Sequence, residues 1–182
     1  MAIFQSALAP FTVKGFYLIT WGTALGTNVW NTVSGYRTYK TLPRQTFGTL
    51  QSRLQPLYFT FSSIATSTLL FTHYWFHPGL ISSPRVPPHH NSDYPEGIQA
   101  LLIIGSLIPQ LLNLIVVSPL ASDVMFERHR QERVEGKEYD EPNVSETLQK
   151  LNKKFSLYHG IASALNTVSF LALAGLGLHV SM

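Results

Sequence analysis

YRTYKTLPRQTFGTLQSRLQPLY, running from Tyr36 to Tyr58, is the stretch whose reading decides the fold. It carries four basic residues, Arg37, Lys40, Arg44 and Arg53, and no acid, and it joins two long segments that contain no charge. Lys and Arg are held back on the inner side of a membrane during insertion, so a short basic stretch between uncharged segments reads as a cytoplasmic connector between two membrane-spanning helices. Inside it Phe47, Leu50, Leu54 and Leu57 recur at helical spacing, with Gln51 and Arg53 between them. This pattern predicts a short amphipathic helix in the interface, started by the turn at Pro43 and ended where Pro56 bends the chain inward.

Working outward, the sequence falls into four charge-free windows, 15–36, 54–84, 97–122 and 155–182. Each is long enough to cross ~30 Å of hydrocarbon, which takes about 20 helical residues. Charged residues make up only 13% of the chain, about half the usual share for a soluble domain, and they gather between the windows. The fold expected is all-α: an integral membrane four-helix bundle, one domain, with spans near 13–36, 55–77, 97–121 and 155–179 and a polar cytoplasmic segment over 122–154. Eleven of the thirteen Lys and Arg then fall on the connector side, and only Lys14 and Arg85 on the other. That asymmetry predicts lumenal termini and a lumenal 77–96 loop. The sequon Asn143-Val144-Ser145 lies on the cytoplasmic side and is expected to stay unglycosylated.

Composition narrows the function classes. There is no cysteine, so no disulfide framework and no thiolate metal site. The net charge of +3 comes from basic residues flanking apolar segments, with no groove-sized patch for nucleic acid. No carboxylate pair, Ser-His-Asp arrangement or phosphate loop is present in the pattern, which argues against an enzyme and against a cofactor. The partners expected are the lipid bilayer and, beyond it, a second copy or another membrane protein. Residues 1–14 lack a basic leader pattern, so a cleaved signal peptide is not expected, and no retention or peroxisomal signal at His179 to Met182 names an organelle; the expected location is the endoplasmic reticulum or another secretory-pathway membrane, with lumenal termini.

Several residues stand out inside the windows. Gly22 and Gly26 form a GxxxG that allows close helix approach, either within the bundle or between copies, and Gly160 with Ala164 has the same small-residue character. Asn28, Asn31, Gln110, Asn113, His159 and Asn166 are polar groups at membrane depth, where such groups face protein and not lipid. His159 is a candidate structural clamp reaching Asn31 or the connector. Thr60, Ser63 and Ser67 form a hydroxyl stripe with Thr66 beside it, suited to tight packing or to lining a polar path. Pro109 should kink its helix and free a carbonyl near Gly105.

Histidine placement raises a metal site. His73 and His77, one turn apart, can share an ion completed by His89, His90 or Asp93, and a His77 and His179 pair could hold a haem. The plainer alternative is a set of interfacial histidines in contact with water. The polar segment reads as a helix continuing to Gly136, with Arg128 and Glu132 one turn apart on a solvated face, then a second helix capped by Ser145.

Leu42-Pro43-Arg44, Thr46-Phe47-Gly48, Gln51-Ser52 and Pro56-Leu57-Tyr58-Phe59 in the connector carry a family pattern. Ser34-Gly35 before it, Val124-Met125-Phe126-Glu127-Arg128-His129, and Tyr158-His159-Gly160 with Ser163 and Asn166 extend it. Together they resemble the Transmembrane protein 205 family across all four windows. The resemblance implies a four-span eukaryotic membrane protein without an established reaction, associated in animals with resistance to platinum drugs and with secretory-pathway vesicles. Soft metals want sulfur ligands, and this chain offers only Met1, Met125 and Met182, all outside the expected membrane core, so relay of metal through sulfur is not expected. Two function classes follow: a non-enzymatic role in membrane organisation, trafficking or drug and stress resistance, or a small transporter with a polar path along the second span and the Pro109 kink.

Overall fold

The computed structural model describes residues 12–79 and 95–181. Among the described residues there are four long helices and no strand. α1 is Val13–Thr41 and α2 is Arg44–Phe76. α3 is one continuous rod built from Pro95–Leu112, a π-helical turn at Asn113–Val117, and Ser118–Glu135. α4 is Glu146–Ser181. Each packs on two neighbours, α1 and α3 both lying against α2 and α4.

The helix ends follow from local chemistry. Thr12 caps α1 by accepting from the Gly15 amide at 3.0 Å. Gly136 closes α3 in the left-handed region at φ 65°, where glycine pays no steric cost, and the Lys137 amide bonds back to the Glu132 carbonyl at 3.2 Å. Ser145 starts α4 by accepting from the Leu148 amide at 3.1 Å, as its position in the sequence predicts.

The connector differs from expectation. No separate amphipathic helix exists: α1 runs on to Thr41, the chain breaks only at Leu42 and Pro43, and α2 continues unbroken through Pro56. A proline inside a helix forfeits one hydrogen bond and strains the preceding turn, but tertiary contacts on the earlier turns of α2 hold it helical. Tyr39 meets Phe47 edge to face across the break, with centroids 5.5 Å apart. Gly48 lies against α3 so closely that a Cβ there would stand 2.7 Å from Met125 Sδ and 3.0 Å from His129 Cε1.

Two helices are long and apolar enough to cross a membrane, over Glu96–Glu135 and Glu146–Val180. α1 and α2 have equally long charge-free runs but dilute them with Thr, Ser, Asn, Gly, Tyr and Trp. Freedom from charge is a weaker property than hydropathy, and α1 and α2 have the first without the second. At the end away from the connector, Ala24, Ala65, Leu69, Ile103, Leu173 and Leu176 form the apolar core. The connector and the 123–154 tract share the opposite end, joined by an Arg44–Glu132 ion pair.

Candidate functional site

The most unusual chemistry lies where the connector meets the polar tract. Arg44, the first residue of α2, pairs with Glu132 on α3, whose side chain is only 3% exposed. Arg128, one turn before Glu132, places Nε 4.0 Å from the same carboxylate. Its guanidinium lies 4.1 Å over the Phe155 ring of α4 and 5.0 Å from that of Tyr139, while Arg44 stacks on Tyr139 at 4.5 Å. Stacking suits a planar, weakly hydrated cation when it is taken out of water. The tract expected as a solvated face is therefore partly interior: Val124, Met125, Arg128, His129 and Glu132 are all buried.

Electrostatics follow from that burial. Desolvation, with Arg44, Arg128 and Arg133 close by, pushes the His129 imidazole down to about 4, so it is neutral at pH 7. Desolvation and the Arg44 charge also lower Arg128, partly offset by Glu132. Two guanidiniums thus share one buried carboxylate. Arg44 Nε and Nη1 and Arg128 Nε have no hydrogen-bond partner. Nearby, the Glu135 carboxyl is held below its usual range by hydrogen bonds from the Ser145 hydroxyl and amide and from Gln131. These contacts bring the beginnings of α2 and α4 onto the end of α3.

A second set of polar groups runs down the interior. Tyr58 donates to Asn166 Oδ1 at 2.7 Å, and Asn28 Nδ2 reaches the same oxygen at 3.4 Å. Further along, Gln110 donates to Ser106 Oγ at 2.9 Å and to Ser169 Oγ at 2.7 Å. Thr66 Oγ1 lies 2.9 Å from the Ser62 carbonyl and 3.3 Å from Gln110 Oε1. Asn113 donates to the Ala162 carbonyl at 3.0 Å from the π-helical turn. Trp21 Nε1 donates to the Leu173 carbonyl at 2.8 Å, and His73 Nε2 lies 2.8 Å from the Glu96 carbonyl, which requires the proton on Nε2.

The structure thus brings Asn28, Gln110, Asn113 and Asn166 to the helix contacts. Asn31 is half-buried, and its backbone carbonyl accepts from the Ser34 hydroxyl at 3.4 Å. His159 lies on the exposed side of α4, stacked on Phe155 with centroids 5.7 Å apart, because Arg128 occupies the other approach to that ring. Gly22, Gly26 and Gly160 have nothing within 4 Å of a built Cβ, and Ala164 is exposed. The close approaches are made by Gly48 and by Gly177, whose missing Cβ leaves room for the Trp21 ring. His73 and His77 have ring centroids 4.8 Å apart, but no group of three metal-ligating side chains exists among the described residues. His89 and His90 lie outside the described residues.

The Arg44, Arg128 and Glu132 cluster was not read from the sequence as a site, although each residue was named there. Leu42-Pro43-Arg44, Thr46-Phe47-Gly48 and Val124 to His129, each singled out in the sequence, are segments that meet here.

Residues 19–130 match a domain of unknown function (DUF4149), and the chain belongs to that family. No solved structure matches the chain.

Proposed function

We propose that this member of the DUF4149 family spans a membrane four times and works there without catalysing a reaction, in membrane organisation, trafficking or resistance to drugs and stress. The last of these is what the resemblance to the Transmembrane protein 205 family implies. One observation carries the reading: polar side chains are buried among the helices beside the apolar core, while the outward faces carry many large apolar side chains. Fully buried positions include Asn28, Ser62, Thr66, Ser106, Gln110, Asn113 and Ser169. Exposed positions on all four helices include Ile19, Val33, Phe61, Ile64, Leu101, Ile115, Val168 and Leu171. In water such a surface would be an aggregation hazard, whereas in lipid it is the ordinary solvent-facing side. This favours spans at α1 and α2 despite their dilute hydropathy. The positive-inside asymmetry then assigns the connector to the cytoplasm and the termini to the lumen of a secretory-pathway membrane.

The interior bonds favour a packing role. Gln110 spends both amide protons on Ser106 and Ser169 and its oxygen faces Thr66, so its own polar atoms are engaged in joining α2, α3 and α4. A transporter is the second reading, favoured by the π-helical turn at Asn113–Val117 beside the α2 hydroxyls. Reconstitution into sealed vesicles separates the two. We expect no flux of ions, protons or small solutes above empty vesicles, together with recovery of membrane-protein neighbours when a tagged copy is used for proximity labelling in its native cell. Protein-dependent flux lost in Gln110→Leu would replace the scaffold reading with transport.

A further inference from the structure

Charge at the connector end is divided unevenly between the two halves of the bundle. From Met1 to Ser92 the sequence contains no Asp or Glu, so α1 and α2 carry basic residues alone. The 123–154 tract, which shares that end, holds eight acidic and seven basic residues. Retention of Lys and Arg on the cytoplasmic side accounts for the bases in both halves, but it places no bar on acids beside them. Orientation therefore leaves the acid-free half unexplained.

Contacts sharpen the difference. Of the four connector cations only Arg44 meets a carboxylate, that of Glu132. Arg37, Lys40 and Arg53 are exposed, and none of them forms an ion pair among the described residues. Their neighbours set their depth. Arg37 and Lys40, three residues apart near the end of α1, follow directly on the charge-free run that ends at Tyr36. Lys40 Nζ lies 5.9 Å from the Tyr36 ring centroid and 5.7 Å from that of Tyr39, and both rings are more than half exposed. Tyr favours the membrane–water boundary, so these rings place the ammonium at headgroup level. Arg53 precedes Leu54 and Leu57, whose exposed side chains suit acyl chains, and its long stem lets the guanidinium reach the same level.

We propose that this corner of α1 and α2 is a binding surface for anionic phospholipid of the cytoplasmic leaflet, with Arg37, Lys40 and Arg53 as its cations. The inference rests on the membrane-spanning reading above. Exposed cations without a carboxylate of their own, held at headgroup depth, are complementary to a net negative headgroup, and the lack of any acid on these two helices removes the repulsion it would otherwise meet. The α3–α4 half is not equivalent, because acids stand among its bases, as Glu146 does 3.7 Å from Lys150.

The test uses the full chain in vesicles of phosphatidylcholine and phosphatidylserine, with a trace of either lipid made photoactivatable next to its headgroup. Retention in carbonate-washed membranes is checked first, so that failure of the spanning reading is seen separately. Phosphatidylserine is expected to label segments 36–41 and 53–57 roughly fivefold over phosphatidylcholine, the factor that about one Lys or Arg is worth near an anionic surface, and the ratio should fall as salt is raised. The triple variant Arg37→Gln, Lys40→Gln, Arg53→Gln changes only exposed side chains without an ion pair and should bring the ratio to about one at an unchanged melting temperature. Lys40→Gln alone, which keeps three connector cations and with them the orientation, should lower the ratio part of the way. Lys150→Gln, Lys153→Gln, Lys154→Gln on α4 should leave it as it was. Equal labelling by the two lipids, a preference that survives the triple variant, or one lost with the α4 lysines overturns the proposal. So does displacement of the phosphatidylserine label by inorganic phosphate at constant ionic strength, which assigns these cations to a free anion.

Discussion

At the scale of single residues, Glu132 bears the largest consequence. It is the only carboxylate paired with Arg44 and Arg128 among the described residues, and it is nearly out of solvent. Removing one partner of a buried pair strands the rest, at about 3–5 kcal/mol, whereas replacing all partners with apolar residues can be neutral. Glu132→Gln should therefore lower the unfolding midpoint strongly in detergent micelles, and the triple change of Arg44, Arg128 and Glu132 to Met should recover most of the loss. A triple variant no more stable than Glu132→Gln would show that the charges themselves are required. His129 gives a pH dependence. Its folded value near 4 lies below the ordinary 6.5, so between those pH values the unfolded chain binds a proton that the folded chain does not. Stability accordingly falls as pH drops through 6.5 to 4, on the order of 3 kcal/mol from this group, and His129→Phe should flatten that part of the profile.

At the scale of elements, the helices are spaced by glycines other than those the GxxxG pattern singles out. Gly177 is the tight approach of α4 to α1, facing the rigid Trp21 ring, which is itself anchored on the Leu173 carbonyl. Gly177→Val should cost about 1–3 kcal/mol by overpacking, read as a lower melting temperature of the purified chain. Gly22→Val and Gly26→Val should leave that temperature unchanged, since nothing lies within 4 Å of a Cβ at either. A common spacing explains the distribution. Tyr17, Trp21, Ala24 and Asn28 on α1, Ile103, Ser106, Gln110 and Asn113 on α3, and Asn166, Ser169, Leu173 and Leu176 on α4 step by threes and fours along one seam. Gly22 and Gly26 lie on the far side of α1 from that seam. The same periodicity was available in the sequence, but a GxxxG match carries no phase, so it could not say which face of α1 turns inward.

At the scale of the whole molecule, the basic connector and the 123–154 tract occupy one end, which makes topology directly testable. The chain has no cysteine, so single cysteines can be introduced without a background. Thr49→Cys and Glu138→Cys, both exposed, should react with an impermeant maleimide from the same side of sealed vesicles, and Gly79→Cys from the other. Opposite-side labelling of the first two would end the four-span reading. Much of this was legible in the residues. Each of the four helices contains one of the long uncharged runs, Gly136 and Ser145 mark where α3 stops and α4 starts, and the clusters of Arg and Lys belong to segments that lie at one end. The tertiary structure alone decided that α2 passes unbroken through Pro56, that a tract of mixed charge turns Arg128, His129 and Glu132 inward, and that Ser63 is buried with its hydroxyl unpaired. Each of these depends on what a neighbouring helix places opposite a residue. Contacts between segments some 80 residues apart, such as Gly48 with Met125 and Arg44 with Glu132, leave no periodic trace in the sequence of either.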